Sequence, residues 1–290
     1  MNPTEKFFSL LAEDHENEAA EFVASLAPSP VKDGLTGYCH YNGIGRTEAD
    51  DEAAFDCFER GAAGGDSLSL YHLGLMCDRA ETPDQREGGP RQKYDHYDAE
   101  TFMERCADGH GMMEQWACLW LGEFYADSAR GGDPEIALEY YERADSLDND
   151  EAAGILAQYY TDRAEYEEYG DPATNALLLK WQQRAYELNH EDESYNYGRL
   201  LYEGFAGIPP QRDMALQLYE EDWEAGHSSG ARALALHYEA EAREMMARAA
   251  TDAEAARRVA ECRVLAQAWH ERADENAEND FEPEQIIEED

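Results

Sequence analysis

Apolar and small residues recur along most of the chain at i, i+3, i+4 and i+7, the spacing that gathers side chains on one face of an α-helix. Two such patterns alternate. The first is Leu-Gly or its equivalent with Tyr close by. It appears at Tyr71-His72-Leu73-Gly74, Trp120-Leu121-Gly122-Glu123-Phe124-Tyr125, Leu156-Ala157-Gln158-Tyr159-Tyr160 and Tyr197-Gly198-Arg199-Leu200-Leu201-Tyr202. Looser copies surround Gly37 and run from Leu234 to Tyr238. The second pattern is Ala-x-x-aromatic-aromatic-x-x-Ala or Gly. Its anchors are Ala54, Ala99, Ala137, Leu177, Ala215 and Ala266, with Phe58, Met103, Tyr141, Trp181, Tyr219 and His270 four residues on. The spacing predicts that the aromatic pair of one helix packs against the Leu-Gly-Tyr face of another, where Gly or Ala lets the backbones approach.

Turn chemistry separates the patterns. Asn42-Gly43-Ile44-Gly45, Gly131-Gly132-Asp133-Pro134, Gly170-Asp171-Pro172 and Gly207-Ile208-Pro209-Pro210 break the helices, and Asp or Thr stands ready to cap the next one. Each unit therefore reads helix, turn, helix. Successive anchors lie 45, 38, 40, 38 and 51 residues apart, and periods of this length indicate a solenoid. The expected fold is an all-α superhelix of about six helix-turn-helix repeats over 31–274. An N-terminal helical cap over 1–30 stops at Pro28-Ser29-Pro30. Unit two carries a long insertion at 79–97, the final hairpin over 229–274 is extended, and an acidic tail fills 275–290.

The run Gly37-Tyr38-Cys39-His40-Tyr41-Asn42-Gly43-Ile44-Gly45, followed by Asp51 to Phe58, resembles a Sel-one-like repeat, an offshoot of the tetratricopeptide class. The run from Tyr202 to Ile208, continued by Asp213, Ala215 and Tyr219, is similar. Units four and six depart from the family pattern by lacking the glycine. The resemblance implies a non-catalytic scaffold or adaptor that binds a protein or peptide on its concave face, which the first helix of each unit lines. Positions three before, one after and four after the glycine then point into the groove. The candidates there are Tyr71, Glu123, Gln158, Tyr195, Arg199, Tyr202 and Arg232. Tyr and Arg dominate interface hot spots, and two Arg on one face could clamp a carboxylate. The plainer alternative is a set of surface residues paired with neighbouring Glu.

Charge changes the picture. The 290 residues hold 65 Asp and Glu against 23 Lys and Arg, a formal net charge of -42, with only four Lys. Binding nucleic acid through its phosphates needs clustered cations, and an anionic membrane surface repels such a chain. No apolar run approaches the length of a membrane span. The opening residues lack the form of a signal peptide, so the cytoplasm is the expected compartment. An acidic, Lys-poor surface suits solubility in high salt, where screening weakens self-repulsion. It would also serve an acidic inhibitor or immunity-type protein that neutralises a basic partner, the alternative function.

The search for chemistry finds no catalytic motif, so no enzyme and no cofactor are expected. Cys106, Asp108, His110, His72 and His96 could be imagined around a metal, but their spacings are too loose for a zinc site, and buried thiols are the simpler reading. The insertion, with Arg86, Arg91 and Lys93 among its glycines, reads as a tolerated loop or a lid. The long final hairpin is a candidate homodimer contact.

Overall fold

The computed structural model describes residues 2–45, 48–79, 96–188 and 193–277, so most of the insertion and the end of the acidic tail lie outside the described residues. Among the described residues the chain forms fourteen α-helices, one short 3-10 turn and no strand. It divides into two compact units, residues 1–152 and 153–290.

The first unit opens with α1 (Pro3–Ala12) and α2 (Glu16–Ser25). The hairpins α3 (Pro30–Asn42) with α4 (Asp51–Ala63), α5 (Ser67–Asp78) with α6 (His96–Asp108), and α7 (Glu114–Ala126) with α8 (Pro134–Asp145) follow. The second unit holds most of α9 (Asp150–Tyr166), then α10 (Pro172–Glu187), α11 (Glu193–Glu203), α12 (Arg212–Glu224), α13 (Ser228–Ala249) and α14 (Ala253–Ala277). Local chemistry sets the boundaries. The side chains of Asp50, Asp66, Asp133 and Asp171 each accept a hydrogen bond from a first-turn backbone N–H, and Pro134 and Pro172 sit in first-turn positions that need no donor. Pro28-Ser29-Pro30 does more than stop a cap: Ser29 accepts from Lys32 N and starts α3. Gly43, at φ 65°, closes α3 in the left-handed conformation that a side chain resists.

Four hairpins are closed by a glycine under a large side chain. A methyl placed on Gly37 would lie 2.7 Å from the Phe58 ring, on Gly122 2.5 Å from Tyr141, and on Gly198 3.0 Å from Tyr219. Gly74 meets Met103 at 2.9 Å in the same way. Phe58, Met103, Tyr141 and Tyr219 are all buried. These are the residues four after the Ala anchors, so the two alternating patterns meet in space as their spacing predicts. Unit four departs from the expected register. The buried face of α10 runs through Thr174, Leu178, Trp181 and Ala185, while Lys180 is exposed, so Leu177 is not the anchor. Leu178, Trp181, Gln182 and Ala185 are buried where α12 buries Ala215, Leu218, Tyr219 and Asp222, one position later than the Leu177 register, and α9 with Ala157, like α13 with Ala235, offers alanine where α3, α5, α7 and α11 offer glycine.

The scarce cations also join successive hairpins of the first unit. Arg105 of α6 donates to Ala62 O at 2.8 Å, and Arg143 of α8 donates to Ala107 O. Each guanidinium thereby caps the last turn of the preceding second helix, where carbonyls lack partners and the helix dipole favours positive charge. Arg143 also pairs with Glu114 at 2.9 Å and Asp108 at 3.4 Å.

His72 sits in an aromatic nest, stacked on Phe58 at 5.0 Å and edge-on to Tyr38 at 5.3 Å. Burial, then the charge of Arg79, lowers its pKa to about 4. The unfolded chain then binds the proton more readily than the folded one. His72 thus leaves stability intact above about pH 6.5 and subtracts on the order of 1–3 kcal/mol as pH falls towards 4. Urea titrations at pH 7 and pH 4.5 should show that His72→Phe removes part of the acid sensitivity of the wild type. The difference between the two proteins cancels the carboxylates they share. A second expectation concerns the close approach in unit three. Gly122→Ala should lower stability by about 1–3 kcal/mol in the same assay, because the Tyr141 ring must leave its place and the helix-propensity gain of about 1 kcal/mol is too small to compensate.

Candidate functional site

The first helices α11 and α13 of the second unit enclose a cleft of about 530 Å³. Four of the seven candidate residues line it: Tyr195, Arg199 and Tyr202 from α11 and Arg232 from α13. Spacings of 195, 199 and 202 put one face of α11 on the cleft, and Ser229, Arg232, Leu236, His237 and Ala240 do the same for α13.

The floor is the hydrophobic core of the last two hairpins. Tyr219 lies there with Ala231, Leu234, Ala235 and Trp269, and Tyr195 and Tyr202 pack on it half-buried. Their ring centroids stand 5.8 and 6.2 Å from that of Tyr219. Burial pushes the Tyr219 and Tyr202 hydroxyls up, so they stay protonated. The tyrosines therefore divide their surface between core and cleft. Leu236 extends the apolar wall and is 56% exposed.

Arg199 and Arg232 are exposed at the rim, and among the described residues neither is in an ion pair. Arg199 acts instead on the neutral hydroxyl of Tyr169, whose ring rests edge-on to Phe205. The countercharge on the cleft is Glu203. Most other arginines described here bond carboxylates or carbonyls: Arg258 holds Glu241 with two bonds of 2.7 and 2.9 Å.

One wall is a hydrogen bond. The Tyr202 hydroxyl meets His237 Nδ1 at 2.8 Å, and beyond it a second cleft, of about 580 Å³, is lined by Arg212, Leu216, Tyr238, Glu241 and Glu244. Burial lowers the His237 pKa, Glu241 works against this, and Arg212 and Arg258 reinforce it. With Glu241 4.0 Å from Nε2 favouring a proton there, a neutral His237 accepts the hydrogen bond that the Tyr202 hydroxyl donates to Nδ1.

The other three candidates lie elsewhere. Tyr71 and Glu123 are in the first unit, where their charges interact. Glu123 is held above the usual carboxylate range by loss of hydration and then by Glu151 and Asp78, so this face is acidic. Gln158 is exposed on α9 and donates to Asp162 Oδ1 at 2.6 Å. Reading one glycine at a time missed His237, Ser229 and Ala240. The i, i+3, i+4 stripe of α13 from 229 to 240 was the signal that would have found them.

Nothing on the metal side comes together among the described residues, where no group of three His, Cys, Asp or Glu is placed to hold an ion. Cys106 is fully buried and its Sγ donates to Ser67 O at 3.3 Å, with burial pushing the thiol up to about 12. Nor is any described helix long and apolar enough to cross a membrane.

The fold is shared with known structures. A Sel1 repeat protein from Oxalobacter formigenes superposes with a TM-score of 0.58 at 18% identity, over 94% of this chain and 99% of its own. A protective antigen of uropathogenic Escherichia coli strains, displaying an SLR fold, gives 0.55 at 15% identity over 95% of this chain and 62% of its own, so this chain spans less than two thirds of that protein. An immunity protein from Pseudomonas aeruginosa superposes more loosely, at 0.45 with 15% identity over 77% of this chain and 83% of its own. No protein-family model and no curated protein sequence matches the chain. The architecture is therefore the all-α superhelix of Sel1-like repeat proteins.

The histidine wall can be tested directly. In NMR titrations His237 should titrate below about 6.5 and carry its proton on Nε2. Arg212→Gln should move the midpoint upward, because one of the cations that disfavours the imidazolium is gone.

Proposed function

We propose that this protein is a non-catalytic scaffold that docks a partner protein or peptide in the cleft between α11 and α13. One observation carries the reading: four first-helix side chains selected for their register line a single cleft, and they are of the types that anchor interfaces, two tyrosines and two arginines. A volume of about 530 Å³ accommodates a few side chains of a peptide. The repeat fold supports it, since stacked helical hairpins offer extended surfaces rather than enclosed reaction sites. The final hairpin exposes Met246 (47%) and Val264 (69%), where a second copy would pack. The acidic-inhibitor reading rests on the net charge of -42 alone.

Affinity capture at low and high salt separates the two. A partner that wild type retains at about 1 M salt, where the Debye length is ~3 Å, and that an Arg199→Glu, Tyr195→Ala variant releases, fits docking in the cleft. A basic partner lost at high salt and indifferent to the variant would replace this reading with electrostatic neutralisation.

A further inference from the structure

Resting on that reading, we infer that the cleft takes an acidic segment of a partner protein, with a carboxylate held between Arg199 and Arg232 and an adjoining apolar side chain on Tyr195, Tyr202 and Leu236. The argument is charge complementarity against the background of this chain. With 65 acidic and 23 basic residues, any cation has carboxylates to choose from. Arg60, Arg143, Arg163, Arg248 and Arg258 are each within 4 Å of one. Arg199 and Arg232 are not, and neither are Arg79, Arg212, Arg257, Arg263 and Arg272; what sets the first two apart is that they share one cleft with two half-buried tyrosines, with Glu203 the acidic residue lining it. The guanidinium fork of Arg matches a carboxylate, and such bonds are stronger than neutral ones. The walls say what accompanies the charge. Tyr195 and Tyr202 are braced on Tyr219, and Leu236 is 56% exposed beside them. Rigid aromatic faces favour an aromatic or branched apolar side chain next to the acid. A basic segment would instead be drawn to the first unit, where Glu123, Asp78 and Glu151 repel one another. Net repulsion between an anionic protein and an acidic ligand also suppresses weak, wrong partners, so only a segment that engages both arginines overcomes it.

Fluorescence anisotropy on the full chain tests this at 0.15 and 1 M salt. The probes are a labelled Glu octapeptide with one central Phe, its Gln analogue, and its Lys analogue. The Glu probe should bind at least about tenfold more tightly than the Gln probe. Arg199→Glu with Arg232→Glu should abolish the preference, and Arg199→Lys with Arg232→Lys should keep part of it, with helical circular dichroism unchanged throughout. Equal binding of the Glu and Gln probes, lost on Tyr195→Ala, would overturn carboxylate recognition while leaving the cleft as a docking surface. Binding of the Lys probe alone, collapsing at 1 M salt and indifferent to the cleft variants, would overturn both. Two competing occupants have their own readouts. Self-association that disappears with Arg199→Glu and Arg232→Glu would assign the cleft to a second copy. Tighter binding of the Glu probe after the seven carboxylates of residues 278–290 are changed to amides would assign it to the chain's own end. Either result overturns the assignment to a partner.

Discussion

Everything in this molecule depends on how closely the two helices of a hairpin approach. At Gly37, Gly122 and Gly198 the first helix presents bare backbone, and an aromatic ring from the second helix fills the space that a methyl would occupy. A large ring on a flat site gives much buried area from one contact and sets the axial register of the pair. It also explains the alternation of the two sequence patterns, since each is one half of the same joint. Opposite Ala157, α10 buries Leu178, Trp181, Gln182 and Ala185, one position on from the Leu177 register.

Charge is the second constraint. A net charge of -42 makes the folded state repel itself, so each arginine carries more structural weight than in a balanced protein. Arg105 and Arg143 act at helix ends, where a single guanidinium satisfies carbonyls that have lost their helical partners and links one hairpin to the one before it. The two rim arginines of the cleft serve neither use: among the described residues they cap no helix end and pair with no carboxylate, and they face one cleft together. The acidic face around Glu123 and the cleft between α11 and α13, with its two arginines, belong to different units and differ in charge.

The cleft itself is built on the joint. Tyr219 is the ring packed on Gly198, and Tyr195 and Tyr202 flank that glycine at three before and four after. The same register that closes the hairpin therefore places two tyrosine edges at the surface. The cleft meets the core through the buried Tyr219, which shares a hydrophobic cluster with Trp269, and its rim carries two exposed arginine side chains.

Helix positions, turn chemistry and the hairpin joint were legible in the sequence, because they follow from periodicities of a few residues and from capping by Asp, Ser and Pro. The first-helix register was legible too, which is why Arg199 and Arg232 could be named together though 33 residues separate them. Which first-helix residues share one cleft was decided only in three dimensions. Within the second unit Tyr195 and Arg232 came together there, and Gln158 does not line that cleft; Tyr71 and Glu123 belong to the first unit. That outcome depends on the distance between neighbouring helices and on what fills it, and neither is encoded in the spacing along one helix. The same holds for His237, whose partner Tyr202 lies on another helix and whose proton is governed by burial and by arginines from two further helices. Local pattern specifies which face a residue takes; tertiary packing decides what it faces.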